Sequence, residues 1–383
     1  MGTITETLRQ KHRGPSDRPQ HVEVPITGLD VSAYLIPTDG PESDGTLDWH
    51  HTLLVLVEAR AGDMTGLGYT YASYGSAYVV KELLTDVVVG HDALAVEGPW
   101  WSMVHAVRNI GRPGAAAMAV SAVDSALWDL KARLLNLPLV TLLGSVHDAV
   151  PVYGSGGFIT YDDARLERQL GGWVAEGIPR VKMKIGRDAA QDLRRIRTAR
   201  RAIGDQAELF VDANGAYSTK EALKVAEAAA DHGVTWFEEP VSSDDLDGLQ
   251  LLRNRMPAPI EVAAGEYGYD VFYFHRMLAA QAVDVLQADA TRCCGITGFL
   301  KTATLCEAQP LPLSAHCAPS LHLHPCCARK SVRHLEYFYD HVRIEQMLFE
   351  GAIRPINGCL RPDQSRPGLG LEFKRADAER YAV

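Results

Sequence analysis

Two hydrophobic rhythms divide the chain. Over residues 24–36 the run is β-like, broken by Gly28. Residues 52–59 (TLLVLVEA) read as a strand, and 66–74 as a glycine- and tyrosine-rich return. Residues 37–48, with Gly40, Pro41 and Gly45, read as a polar loop. Together they predict a small antiparallel sheet. Helical spacing follows at about 77–88, 99–109 and 115–135. The third stretch is small and apolar almost all round, so burial between layers is expected.

From residue 150 short strand-like runs alternate with helix-period segments. The first strand is 151–154, the second ends at about Lys184 and the third near Asp212. The rest are 235–238, 260–264, 283–287, 311–314 and 331–335. A helix over 161–175 stops at Gly177. The next puts Leu193, Ile196, Ala199 and Ile203 on one face and arginines on the other, and Gly204 ends it. Ser218 and Glu221 make a capping box for a helix that stops at Gly233. Eight strands in about 200 residues fit a βα-barrel near its lower size limit, in which chemistry sits at the strands' carboxyl ends. No full helix is expected after the eighth strand. Residues 355–383 are rich in glycine and proline, with a short strand at 369–373, and are expected to fold back onto the first domain. The organisation predicted is a tail (1–22), an α+β domain (23–145), a barrel (146–353) and a returning segment (354–383).

Composition narrows the function. A length of 383 residues exceeds one average domain, and 46% hydrophobic with 22% charged content is that of a soluble globular protein. The formal charge, 38 − 48 = −10, argues against a nucleic-acid partner. Seven cysteines without a C-x-x-C spacing read as reduced thiols. The first twenty residues lack the apolar core of a secretory signal, and no apolar run reaches the ~18 residues of a membrane span. A cytoplasmic protein with no membrane partner is expected.

Several charged residues recur in register with the strands. Asp212, Glu238 and Glu266 lie at three successive strand ends, 26 and 28 residues apart. One such acid commonly caps the following helix. Three converging acids repel one another unless a cation lies among them, and oxygen-only donors favour Mg²⁺. Lys182 and Lys184 flank Met183, so both point to one face of a strand, which in a barrel is the lumen. Two lysines buried together are expected to depress each other's pKa, as suits a general base. Asp289 and His316 end adjacent strands, where a hydrogen bond would orient the imidazole. His322 and His324 have no acid beside them and read as structural.

These motifs resemble the enolase superfamily, specifically the mandelate racemase subgroup. The resemblance rests on Lys-x-Lys at 182–184, Asp212-Ala-Asn214, Glu238-Glu-Pro240, Gly265-Glu266, the Asp289/His316 pair and His334-Leu-Glu336. The helix 122–132 also resembles that subgroup's linker into the barrel. The resemblance implies a modified TIM barrel, (β/α)₇β, with an N-terminal α+β capping domain. It implies Asp212, Glu238 and Glu266 as Mg²⁺ ligands, and Lys184 and His316 with Asp289 as two bases. Lys182 and Asn214 resemble groups that contact the substrate, and Glu336 resembles an acid that donates to a carboxylate oxygen. It also implies an even-numbered homo-oligomer, from dimer to octamer.

The implied activity is Mg²⁺-dependent removal of the α-proton of a hydroxy carboxylate. A polar, acidic stretch at 37–49 and the hydroxyls of Tyr69, Tyr71 and Tyr74 favour an acid sugar, hence a dehydratase. A racemase or epimerase is the alternative. A non-catalytic barrel would not need paired bases, and a two-metal hydrolase would favour histidines at the early strand ends. Two departures bear on the substrate pocket. The turn after Asp289 reads Ala-Thr-Arg-Cys-Cys-Gly rather than carrying paired glycines, and 66–69 reads Gly-Leu-Gly-Tyr where many relatives carry a Glu.

Overall fold

The structure, a computed structural model, describes residues 23–383; the expected tail, 1–22, lies outside the described residues. Strands β1 (Ile26–Ser43), β2 (Asp48–Ala61) and β3 (Met64–Tyr71) form an antiparallel sheet in that order. Because side chains alternate along β2, Leu54 and Leu56 join the barrel's apolar core. Val57 and Ala59 join a second core beneath the cap helices. Those helices are α1 (Tyr74–Val79), continued by a π turn (Val80–Leu84) into α2 (Thr85–Val88), then α3 (Glu97–Ala106), α4 (Ala115–Leu134) and the short α5 (Leu139–Leu143).

β3 lies directly on α4. A Cβ at Gly66 would meet Leu130 N at 2.3 Å, and one at Gly68 would meet Ala122 O at 2.2 Å. Gly-Leu-Gly is therefore a strand–helix contact. Of the three tyrosines expected to offer hydroxyls, Tyr69 is buried with its hydroxyl donating to Glu345 Oε1 (2.7 Å), and Tyr74 is exposed. Tyr71 stacks on His341, ring centroids 3.5 Å apart.

The expected loop at 37–48 is mostly strand. The β1–β2 ladder slips between Pro37 and Glu42 and resumes at Glu42 opposite Trp49. Its acids find partners within the protein: Asp39 pairs with Arg165 and accepts from the Tyr339 hydroxyl, and Asp48 pairs with Arg187. Asp44 Oδ1 accepts from the amides of Thr46 (2.6 Å) and Leu47 (2.8 Å), which closes a tight turn. Gly45 sits so close to the barrel that a Cβ there would be 2.4 Å from Ala213 O.

Glu42 is buried, accepts from Trp49 Nε1 (2.8 Å), and is pushed up to about 8 by burial and by Asp340. The folded chain thus holds this proton more tightly than the unfolded chain. The stabilisation is complete below about pH 4.5 and is lost as pH rises through 8. In Glu42→Gln, the melting temperature relative to the native protein should climb across that window, by roughly 1 °C for each kcal/mol recovered. Melting curves that differ by the same amount at pH 4 and pH 9 would refute this.

The barrel strands are β4 (Val150–Gly156), β5 (Arg180–Lys184), β6 (Glu208–Asp212), β7 (Val234–Glu238), β8 (Glu261–Ala264), β9 (Val285–Ala288), β10 (Leu313–Ala315) and β11 (Val332–Phe338). Neighbours pair in parallel, and β11 pairs with β4 to close the ring. Helices α6 (Asp163–Ala175), α7 (Ala189–Ile203), α8 (Thr219–Ala230), α9 (Leu246–Arg255), α10 (Val271–Ala279), α11 (Gly295–Ala308) and α12 (Pro319–Cys327) connect them. The Ser218/Glu221 capping box starts α8 as expected. Along β5, Val181 and Met183 pack in the outer core while Lys182 lies over the Tyr153 ring, 5.4 Å from its centroid. Tyr153, Phe210 and Trp236 fill the lumen beneath.

A ten-residue helix, α13 (Tyr339–Leu348), does follow the eighth strand. Its inward face is Asp340, His341, Ile344, Glu345 and Leu348, and two of these five are carboxylates. That breaks the apolar period which would have marked it. Glu345 is satisfied by Tyr69 and the Ser320 amide, and Asp340 by Arg343 and Thr52.

Beyond α13, β12 (Phe349–Glu350) pairs with β14 (Glu372–Phe373), and β13 (Cys359–Leu360) pairs with β4. The buried Asp129 of α4 accepts from Leu67 N (2.8 Å), Leu369 N (2.6 Å) and Arg133 Nε (2.6 Å). One carboxylate thereby ties helix, cap sheet and returning segment. Among the described residues no helix is long and apolar enough to cross a membrane.

Candidate active site

Several strand ends deliver charged side chains to the mouth of the barrel. Asp212 ends β6, Glu238 ends β7, and Glu266 follows β8 across Gly265. Gly265 has φ +133°, and a Cβ there would lie 2.2 Å from Gln287 O, so the turn that aims Glu266 needs glycine. One oxygen of each acid lies within 4.8 Å of the others, and all three are buried. Burial and Asp212 push Glu238 up to about 8, which is the mark of carboxylates crowded together without enough positive charge. An oxygen-only donor set with an excess of negative charge fits Mg²⁺.

Lys182 is fully buried. Its Nζ lies 2.6 Å from Glu238 Oε1, 2.8 Å from Glu336 Oε1 and 3.2 Å from Asp212 Oδ2. Lys184 Nζ donates to Asp212 Oδ2 (2.6 Å) and Asn214 Oδ1 (3.0 Å). Asn214 holds a left-handed backbone (φ +47°) that its short amide tolerates. The expected mutual depression of the two lysines is overturned. Burial and, for Lys184, the Lys182 charge do pull the ammonium groups down. The acids outweigh them: Glu238 leads for Lys182 and Asp212 for Lys184, and both ammonium groups are held above their usual range.

His316 follows β10. Its Nδ1 lies 2.9 Å from Asp289 Oδ2 and its Nε2 3.2 Å from Glu266 Oε2. Burial disfavours the imidazolium, but Cys317, Glu266, Glu336 and Asp289 raise it well above the ordinary histidine value. Asp289 resists its own burial and, through the His316 hydrogen bond, stays below the usual carboxylate range. Glu336, inside β11, is likewise held low by Lys182 and His316 against burial. Ionised, it accepts from the Cys317 amide (3.0 Å). The nine residues singled out in the sequence thus converge on one cluster.

Three further residues belong to it. Arg292 Nη1 reaches Glu266 Oε1 (3.3 Å) and its Nε lies 3.6 Å from Asp289 Oδ2, so it bridges the acid cage to the histidine pair. Its place three residues after Asp289 was the available signal. Glu239, with φ +38°, is buried beside Glu238. Burial, then Glu266, raises its carboxyl well above the usual range. Cys317 lies between His316 and Glu336, and nothing in the sequence marked it. By contrast, His322 Nε2 accepts from Ala290 N (2.7 Å) and His324 Nδ1 from Val140 N (3.1 Å), both structural roles. The Cys293–Cys294 turn packs against the cap: Cys294 O accepts from Trp100 Nε1 (2.7 Å), and Gly295 N donates to Ser121 Oγ of α4 (2.9 Å).

A cavity of about 650 Å³ opens beside the cage, lined among others by Thr46, Asn214, Glu239, Ser243, Tyr267 and Arg276. Lys184 and His316 do not line it; both are nearly covered, 5% and 4% exposed.

Fold and cluster together define a capped, enolase-type barrel. Residues 41–144 match the mandelate racemase/muconate lactonizing enzyme N-terminal domain, and 165–378 match the enolase C-terminal domain-like family. The chain belongs to the mandelate racemase/muconate lactonizing enzyme family of the enolase superfamily. It is 35% identical to a 3,6-anhydro-alpha-L-galactonate cycloisomerase of Streptomyces coelicolor over 91% of this chain and 98% of that protein. It is 31% identical to L-talarate/galactarate dehydratase of Salmonella typhimurium over 82% of this chain and 81% of that one. A crystal structure of the dehydratase liganded with Mg and L-lyxarohydroxamate superposes with a TM-score of 0.87, at 27% identity, over 97% of this chain and 95% of that chain. A mandelate racemase/muconate lactonizing enzyme-like protein from Rubrobacter xylanophilus superposes with a TM-score of 0.92, at 55% identity, over 94% of this chain and all of that chain.

Proposed function

We propose that this protein is a Mg²⁺-dependent enzyme that removes the α-proton of a hydroxy carboxylate and then expels water from the β-carbon, an acid-sugar dehydratase. The observation that carries the reading is the pair of proton carriers flanking the acid cage, Lys184 against Asp212 and His316 against Glu266. Asp212, Glu238 and Glu266 would hold the cation, which when bound stabilises negative charge growing on the substrate carboxylate.

The remaining steps belong to the side chains. Lys182 adds a second positive charge towards the same oxygens, and Asn214 adds a hydrogen bond. Lys184 takes the α-proton, for which it must be neutral. Burial and Lys182 favour the neutral amine, and Asp212 is the chief group opposing them, so the amine is freed to lose its proton when the three cage acids are engaged elsewhere. His316, its ring fixed by Asp289, carries a proton to the departing β-hydroxyl, so water leaves rather than hydroxide. Glu336 donates to a substrate oxygen only after Lys182 has turned from it towards the substrate, because their ion pair keeps it ionised.

Two-base isomerisation is the second reading, since the same two carriers would take a proton from one face and return it to the other. We further propose a cytoplasmic, even-numbered homo-oligomer. Support for the compartment comes from the seven cysteines, all free. The division into cap (23–145), barrel (146–353) and returning segment (354–383) is part of this reading.

Proton NMR in D₂O with Mg²⁺ and a panel of galactarate, L-talarate, L-rhamnonate and arabinonate tests it. Loss of the α-proton signal together with a new keto-acid product is expected for one or more members. Exchange or inversion without loss of water would favour isomerisation. Silence across the panel would count against both.

A further inference from the structure

The cluster contains a second set of ligand atoms besides the three acids. His316 Nε2, Cys317 Sγ and Glu336 Oε2 lie at the ends of β10 and in β11, and all three residues are buried. Sγ is 3.3 Å from Nε2 and 3.4 Å from Oε2, and Nε2 is 3.6 Å from Oε2. Zinc bonds of about 2.0–2.3 Å in a tetrahedron put neighbouring donors roughly 3.3–3.6 Å apart. The three observed edges lie within about 0.3 Å of that geometry, and Glu266 Oε2, 3.2 Å from Nε2, stands beside the site.

The framework holds the triangle in shape. His316 is oriented by Asp289 through Nδ1, the carboxylate–histidine support common behind metal-binding imidazoles. Glu336 Oε2 accepts from the Cys317 amide. Cys317 and Ala318 both adopt left-handed backbone conformations, φ +52° and +39°, in a turn without glycine. Two such residues in succession are uncommon and costly, and here they turn the thiol back towards His316.

We propose that His316, Cys317 and Glu336 form a binding site for a thiophilic divalent cation such as Zn²⁺, distinct from the carboxylate cage, and that its occupation takes the His316 ring out of proton transfer. The ligand chemistry separates the two sites. Three carboxylates suit a hard cation, whereas a sulfur–nitrogen–oxygen set selects a borderline or soft one. On binding, Sγ and Nε2 each donate an electron pair to the metal, and two protons, one from the thiol and one from the imidazolium Nε2, leave to solvent. Cation binding itself stands apart from the proposed activity; only the inhibitory consequence rests on that reading.

Co²⁺ is the probe, added to the full-length protein already saturated with Mg²⁺. A near-ultraviolet sulfur-to-cobalt charge-transfer band is expected, saturating at one equivalent. Cys317→Ser should abolish it, and His316→Asn should weaken Co²⁺ affinity by at least about tenfold. Glu238→Gln, which removes a cage charge but none of the three proposed donors, should keep it. If the dehydratase reading holds, Zn²⁺ should inhibit the native enzyme at least about tenfold more potently than Cys317→Ser. Absence of the band in the native protein, or its persistence in a folded Cys317→Ser variant, would overturn the site. Should Cys317→Ser fail to fold, His316→Asn with unchanged Co²⁺ affinity would do the same.

Discussion

Lys184→Ala is expected to lower turnover by about 10²–10⁴-fold, the range of a lost general base, while Mg²⁺ still binds. The amine bonds Asp212 Oδ2 at 2.6 Å and carries charge, so its removal strips a competitor cation from a ligand carboxylate. Metal affinity should therefore hold or rise. His316→Asn is expected to lose turnover by a similar factor, but through a different step. If Lys184 takes the α-proton and His316 serves the leaving hydroxyl, only His316→Asn retains α-deuterium exchange in D₂O. NMR of both variants, with calorimetry for Mg²⁺, reads all three quantities. Native turnover in both would sink the two-carrier scheme, and equal exchange would sink the division of labour.

Lys182→Met should have the largest effect on stability. The ammonium is fully buried and pairs with Glu238, Glu336 and Asp212. Taking one partner from a buried ionic cluster costs about 3–5 kcal/mol, because the charges left behind are uncompensated. Here the remainder is acidic, so the loss should shrink when Mg²⁺ is present. Urea unfolding with and without Mg²⁺ measures both terms. A loss independent of Mg²⁺ would mean that Lys182 and the cation site do not share the same carboxylates.

The barrel and the nine clustered residues were legible because they obey a simple geometry. Strands end in register, so an acid near each strand end implies convergence, and Lys-x-Lys on one strand implies a shared face. What escaped was what breaks period or depends on turns. Helix α13 hides behind buried Asp340 and Glu345, which a hydrophobic pattern scores as surface. The polar stretch at 37–48 looks like a loop because Glu42 and Asp44 are polar. Yet Glu42 lies in a resumed ladder and Asp44 in the turn that closes it. Cys317 joins the cluster through a left-handed turn that contains no glycine to announce it. The sign of the lysine shifts was also beyond the sequence, since it depends on which of several neighbours lies at 2.6 Å.

The Asp129 tie and the contacts of the returning segment bear on how the molecule is made. Leu369 N binds Asp129, Ala382 bridges Tyr34, and Val383 N donates to Ala33 O. Residues 33, 34 and 129 leave the ribosome hundreds of residues before the partners that complete them. Domains that fold as they emerge normally finish in chain order. This cap cannot. These contacts must wait until the whole barrel has been synthesised, so a chain released before residue 369 would lack them and leave its cap unfinished.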